Sequence, residues 1–267
     1  LTTQELWQAG HLDEAIAAQI AEVKAHPTDP ERRYLLFALV VFSGDLDRAA
    51  RQLDAIGLQD EKLARGTFIY VNLLASEAER RRVHSGDGDP LVPALEEPSF
   101  LVRLDALRAW GTGDRDAARG GLEKAREAAT APRFRVDGEE FTGVEDTDEL
   151  LGDALEVFAG GRYLLVPFSH IRRLEISEPK HLLDLAWIPA ELEDASGAEA
   201  NVHLPVLYSG SHEQSPAVAL GRTSEWNEVD GVVRGLGQRV LAFGGDGHPD
   251  HDRPLLTLRR LERADGD

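Results

Sequence analysis

Gly10-His11-Leu12-Asp13-Glu14-Ala15 returns as Gly44-Asp45-Leu46-Asp47-Arg48-Ala49 and again as Gly113-Asp114-Arg115-Asp116-Ala117-Ala118. The first two glycines stand 34 residues apart and the second and third 69, close to two further periods. A repeat of this length is a helix–turn–helix unit that buries its apolar face only against its neighbours. Glycine suits the left-handed residue that ends one helix. Asp13, Asp47 and Asp116 then fall where the free N–H groups of the next helix attract a carboxylate. Helical spacing of apolar residues follows each glycine: Leu12, Ala15, Ile16, Ile20, Val23; Leu46, Ala49, Ala50, Leu53, Ile56; Ala118, Leu122, Ala125, Ala129.

Between these segments, Glu31 to Ser43 is apolar nearly all round, as in a helix sandwiched by neighbours. Pro27 and Pro30 punctuate the turn before it. One long helix is expected from about Asp60 to Arg82, a loop at Ser85-Gly86-Asp87-Gly88-Asp89-Pro90, and a last helical pair from Pro98 to Ala129. The 34-residue period is that of the tetratricopeptide repeat, so residues 1–132 are expected to form a TPR-like helical-repeat domain.

The texture changes near Pro132. Short β-type runs replace the helices: Arg133–Val136, Leu155–Phe158, Tyr163–Pro167, Ile171–Ile176, Val202–Leu207, Val240–Phe243 and Leu255–Leu258. Gly160-Gly161 between two of them reads as a tight hairpin. Strands do not alternate with long helices, which disfavours a doubly wound sheet. The expectation is an α+β protein of two domains. Residues 133–267 would form a mostly antiparallel sheet or small barrel with short helices.

Composition narrows the function classes. The chain has no cysteine, which removes disulfides, zinc-thiolate sites and thiol nucleophiles. The longest apolar run is nine residues, Tyr34 to Phe42, against about 20 for a spanning helix. No basic-then-apolar leader is visible, so a cytoplasmic location is expected. Net charge is −19. Residues 1–132 carry 16 Lys and Arg against 22 acids, or −6; residues 133–267 carry 13 against 26, or −13. Such a surface repels phosphate backbones and anionic lipid, and would attract a basic protein.

No catalytic motif is complete. None of the four lysines follows a glycine, which excludes a P-loop. Gly235-Leu236-Gly237 opens like a dinucleotide motif, but Val240 stands where glycine is required. His212-Glu213-Gln214-Ser215-Pro216 lacks the second histidine of a zinc protease. Ser169 and His170 are adjacent and would diverge in a strand. His248, Asp250, His251 and Asp252 could ligate a divalent ion in a metal-dependent hydrolase, though a solvated Gly- and Asp-rich loop is the simpler reading. Asp137, Glu139, Glu140, Glu145, Asp146, Asp148, Glu149 and Asp153 lack the spacing of a calcium loop and read as a solvated charge run. Neither metal nor cofactor is expected.

Several strings occur in a particular order: Leu155-Glu156-Val157-Phe158; Val166-Pro167-Phe168 with His170-Ile171; Leu174-Glu175-Ile176; Pro179 with Leu183-Asp184-Leu185 and Trp187; Leu204-Pro205-Val206-Leu207-Tyr208; Gly221-Arg222-Thr223 with Trp226; and Gly235-Leu236-Gly237-Gln238-Arg239. Together, over about residues 134–262, they resemble the ImpE/TagJ family of type VI secretion accessory proteins. Glu225 stands where an aspartate is expected beside the tryptophan, and the Gly245–Arg253 loop is longer than usual. The resemblance implies a non-enzymatic adaptor that bridges the small contractile-sheath subunit and the AAA+ ATPase that recycles contracted sheath. A helical-repeat scaffold unrelated to secretion is the alternative outside that family. By residue type, Trp187, Tyr208, Arg222, Trp226 and Arg239 are the candidate partner contacts, with burial of the tryptophans in a β core as the competing reading.

Overall fold

The computed structural model describes residues 1–58, 61–93, 97–244 and 252–264. Its first half is a run of helices: α1 (Thr3–Ala9), α2 (Leu12–Ala25), α3 (Pro30–Phe42), α4 (Leu46–Gly57), α5 (Glu61–His84), α6 (Pro98–Gly111) and α7 (Arg115–Ala128). Gly10, Gly44 and Gly113 all take left-handed φ, at 86°, 79° and 86°, as the repeat requires. The side-chain caps fall two residues before the expected ones. Asp45 accepts the Arg48 N–H at 2.9 Å and Asp114 that of Ala117 at 3.1 Å. Asp13, Asp47 and Asp116 sit in the first turn, where the helix dipole favours a carboxylate without a direct bond. α3 is buried without a break from Leu36 to Phe42, because α2 and α4 flank it and Trp7 of α1 closes on Phe42 at 5.0 Å.

The second half contains β1 (Arg133–Val136), β2 (Glu139–Thr142), β3 (Val144–Asp146), β4 (Ala154–Ala159), β5 (Arg162–Pro167), β6 (Ile171–Ile176), β7 (Trp187–Asp194), β8 (Glu199–Pro205), the short α8 (Pro216–Ala219), β9 (Ser224–Val229), β10 (Val232–Gly237), β11 (Val240–Phe243), β12 (Arg253–Pro254) and β13 (Arg260–Arg263). Eight strands form one antiparallel sheet in the order β2-β1-β13-β6-β7-β8-β4-β5. A second sheet runs β12-β11-β3, and among the described residues β9 pairs only with β10. The Leu255–Leu258 run, expected as a strand, is a 3-10 turn at Leu255–Thr257; the strand follows it at Arg260–Arg263. Apolar character alone does not separate a buried turn from a strand.

Alternation along β4 explains how the halves join. Leu155 and Val157 enter one core with Phe134, Phe168, Ile188, Leu241 and Phe243, between the large sheet and the strands β3 and β11. Ala154 and Phe158 point the other way, into a core shared with Leu73, Leu74 and Val83 of α5 and Phe100 and Leu104 of α6. α5 lies along β4 and β5, and the hydrophobic core is continuous across residue 132.

Candidate functional site

Glu156 is the polar residue on the helix-facing side of β4, between Ala154 and Phe158, and its side chain is completely buried. Arg80, one turn from the end of α5, meets it face to face, with Nε to Oε1 at 2.9 Å and Nη2 to Oε2 at 2.7 Å. This two-pronged geometry is the strongest an arginine offers a carboxylate. His84 Nε2 and the Tyr163 hydroxyl reach Oε1 at 2.9 and 2.8 Å. Arg239 closes on Oε2 from the far side. Burial alone would raise the Glu156 carboxyl out of the usual range. Arg80 and Arg239 outweigh it and hold the group well below that range.

Arg239 carries the network onward. Its second prong binds Asp146, and its Nε donates to the Pro205 carbonyl at 3.1 Å. Tyr208 donates to Asp146 Oδ1 at 2.9 Å and accepts the Val240 N–H at 3.0 Å. The guanidinium of Arg239 lies 5.1 Å from the Tyr208 ring centre. Burial pushes Asp146 up to about 6, opposed by Arg239 and helped by the nearby Asp148. Gly235 is required here by close approach: a Cβ at that position would lie 2.5 Å from the Tyr208 ring. Asp148 in turn accepts from Arg234 Nε at 2.9 Å and the Gly235 N–H at 3.1 Å.

These positions correct two expectations. The acidic run is solvated only in part: Asp137, Glu139, Glu140 and Glu149 are exposed, whereas Asp146 and Asp148 are buried ion partners and Asp153 binds Arg103. The two buried charges are each compensated, Asp146 by Arg239 and Tyr208 and Asp148 by Arg234 and the Gly235 N–H. Ser169 and His170 lie on a 3-10 turn, where Ser169 donates to Glu97, away from His170.

Of the candidate partner contacts, the structure brings Tyr208 and Arg239 together in the network and buries Trp187 in the shared core. Arg222 is exposed and donates to the carbonyls of Trp7 and Gln8, closing the end of α1. Trp226 is exposed on β9, with its ring N–H on Thr147 Oγ1 at 3.0 Å. Sequence reading missed Arg80, Glu156 and Asp146 as a unit. The signal was a glutamate flanked at i−2 and i+2 by Ala154 and Phe158, a charge on an otherwise apolar strand face. The His248–Asp252 cluster, apart from Asp252, lies outside the described residues. Among the described residues no cluster of three histidine or acidic side chains could hold a metal ion.

The network gathers residues from three of the ordered strings: Glu156, Tyr208 and Arg239. Comparison with known proteins covers the same stretch. The model of the ImpE protein family matches residues 138–262. Over 263 residues the chain is 34% identical to the type VI secretion system accessory component TagJ of Pseudomonas aeruginosa, covering 98% of this chain and 91% of that protein. An X-ray crystal structure of a Vibrio parahaemolyticus protein is similar with a TM-score of 0.90 at 25% identity, over 99% of this chain and 98% of that one.

Proposed function

The chain belongs to the ImpE family of type VI secretion accessory components, and from that premise we propose that it is an adaptor of the contractile-sheath cycle, acting by binding alone. In this reading it holds the small sheath subunit and presents it to the AAA+ ATPase that recycles contracted sheath, in the cytoplasm. The observation that carries the proposal is the Arg80–Glu156–Arg239 network, which joins a helical-repeat surface and a sheet surface in fixed relation. Repeat helices present faces that hold peptide or helical segments. A bridge works only if its two binding surfaces do not drift apart. Among the described residues, no helix is long and apolar enough to cross a membrane.

Trp226 and Arg222, the two candidate contacts at the surface, are proposed to touch a partner. Trp187, Tyr208 and Arg239 would act from beneath, by holding that surface in shape. Isothermal titration with the N-terminal segment of the cognate small sheath subunit, and separately with the N-terminal domain of the ATPase, tests the reading. Saturable binding to each is expected. A folded sample that binds neither would sink it.

A further inference from the structure

β9 is exposed along almost its whole length, and among the described residues only one of its edges is used. It turns back through Asp230-Gly231 onto β10, in a register running from Val229 opposite Val232 to Ser224 opposite Gly237. β10 bonds into the body of the protein on its far side. The Val233 N–H reaches the Glu149 carboxylate at 2.7 Å, and the Val233 carbonyl accepts the Glu149 N–H at 2.9 Å. The N–H groups of Gly235 and Gly237 reach Asp148 and Ser211 at 3.1 and 2.8 Å. Bonding direction alternates along an antiparallel strand. Residues 232, 234 and 236 therefore bond to β9 at Val229, Asn227 and Glu225, and the opposite set, Ser224, Trp226 and Glu228, turns its backbone groups outward. Among the described residues, no hydrogen bond reaches the outward N–H or C=O of Trp226 or Glu228.

An open edge of this kind invites another strand, and proteins usually blunt it with charged side chains, lysine above all, with proline or with a bulge. β9 has no lysine, proline or bulge, and its two charges, Glu225 and Glu228, turn away acidic chains but attract basic ones. It carries instead Trp226, 44% exposed, and Val229, 40% exposed. The bond from Trp226 to Thr147 and the anchored β10 hold the strand still, which lowers the ordering cost of an incoming chain. Glu225 and Glu228 form no ion pair among the described residues, in a chain of net charge −19.

We propose that β9 receives an extended, lysine- or arginine-bearing segment of a partner protein as an added strand. Backbone groups of Trp226 and Glu228 would supply the hydrogen bonds, and Glu225 and Glu228, on opposite faces of the strand, would give each face its preference for a basic side chain. A second copy of this chain fits less well, because it would bring its own Glu225 and Glu228 and a further net charge of −19 to an acidic strand. The edge acts whether or not the sheath adaptor reading holds.

The test uses two capped hexapeptides, one alternating valine with lysine and the other valine with glutamate, added in large excess to the full ¹⁵N-labelled protein. The lysine peptide should shift the Trp226 and Glu228 amides saturably and more weakly as salt rises, while the glutamate peptide leaves them in place. The double variant Glu225→Lys/Glu228→Lys should reverse the preference, each way by about tenfold or more. Glu228→Pro, which removes one outward N–H but no bond to β10, should weaken the lysine peptide by roughly tenfold. Equal binding of both peptides, or shifts confined to other elements of the folded protein, would overturn the proposal. So would a dimer that dissociates on Glu228→Pro, which would give the edge to a second copy.

Discussion

Glu156 shows how a charge becomes a structural element. Two guanidinium groups, one from the last turns of α5 and one from the segment between β10 and β11, share its carboxylate in the interior. Desolvating three charges is expensive, and their mutual attraction offsets the cost only while all three are present. Glu156→Gln keeps the shape and removes the charge, leaving Arg80 with Glu77 and Arg239 with Asp146 but without the carboxylate they share. The expected cost is about 3–5 kcal/mol, read as a lower urea midpoint with an unchanged slope. A loss of under about 1 kcal/mol, the range of a surface pair, would contradict the buried geometry. Little of this was legible beforehand. The sequence holds Glu156, Tyr208 and Arg239 in three separate strings, and Arg80 lies in a helical half that no string covers. Nothing local announces that residues 80, 156 and 239 meet, because the meeting depends on how α5 lies across β4.

Among the elements, the helices were the most legible, since 34-residue spacing, glycine ends and amphipathic faces all pointed one way. Their caps were not, because Asp45 and Asp47 are both good N-terminal residues and only the backbone decides between them. The bond from Arg48 N–H to Asp45 makes Asp45 the cap. Asp45→Ala should cost about 0.5–2 kcal/mol, and Asp47→Ala, which loses only a dipole interaction, about 0.3–1 kcal/mol. Paired urea titrations of the two variants check this, and a larger loss at Asp47 would reverse the assignment. Among the strands, hairpin signals were stronger than the reading allowed. Asp137-Gly138 and Asp230-Gly231 join β1 to β2 and β9 to β10 through two residues of positive φ, as Gly160-Gly161 joins β4 to β5. β2 and β9 escaped notice because Glu139, Glu140, Glu225 and Glu228 hide the strand pattern under charge. Both strands are exposed, so burial imposed no apolar alternation on them.

On the scale of the molecule, the change of texture at Pro132 marks a change of secondary structure within a continuous core. Phe158, Tyr163 and Leu165 of the sheet pack with α5 and α6, and the Arg80 network crosses the same boundary. Unfolding should therefore be one cooperative transition, with far-ultraviolet circular dichroism and tryptophan fluorescence superimposing across urea. Two separated transitions would show that the halves hold together only loosely. An adaptor benefits from such coupling, since a partner held at the helical surface then keeps a fixed distance from one held at the sheet. The measurement that tests this account most directly is light scattering on a gel-filtered mixture of the protein, the cognate small sheath subunit's N-terminal segment and the ATPase's N-terminal domain. A single peak with the mass of all three is expected. Separate peaks, or two partners that displace each other from the protein, would contradict a bridging role.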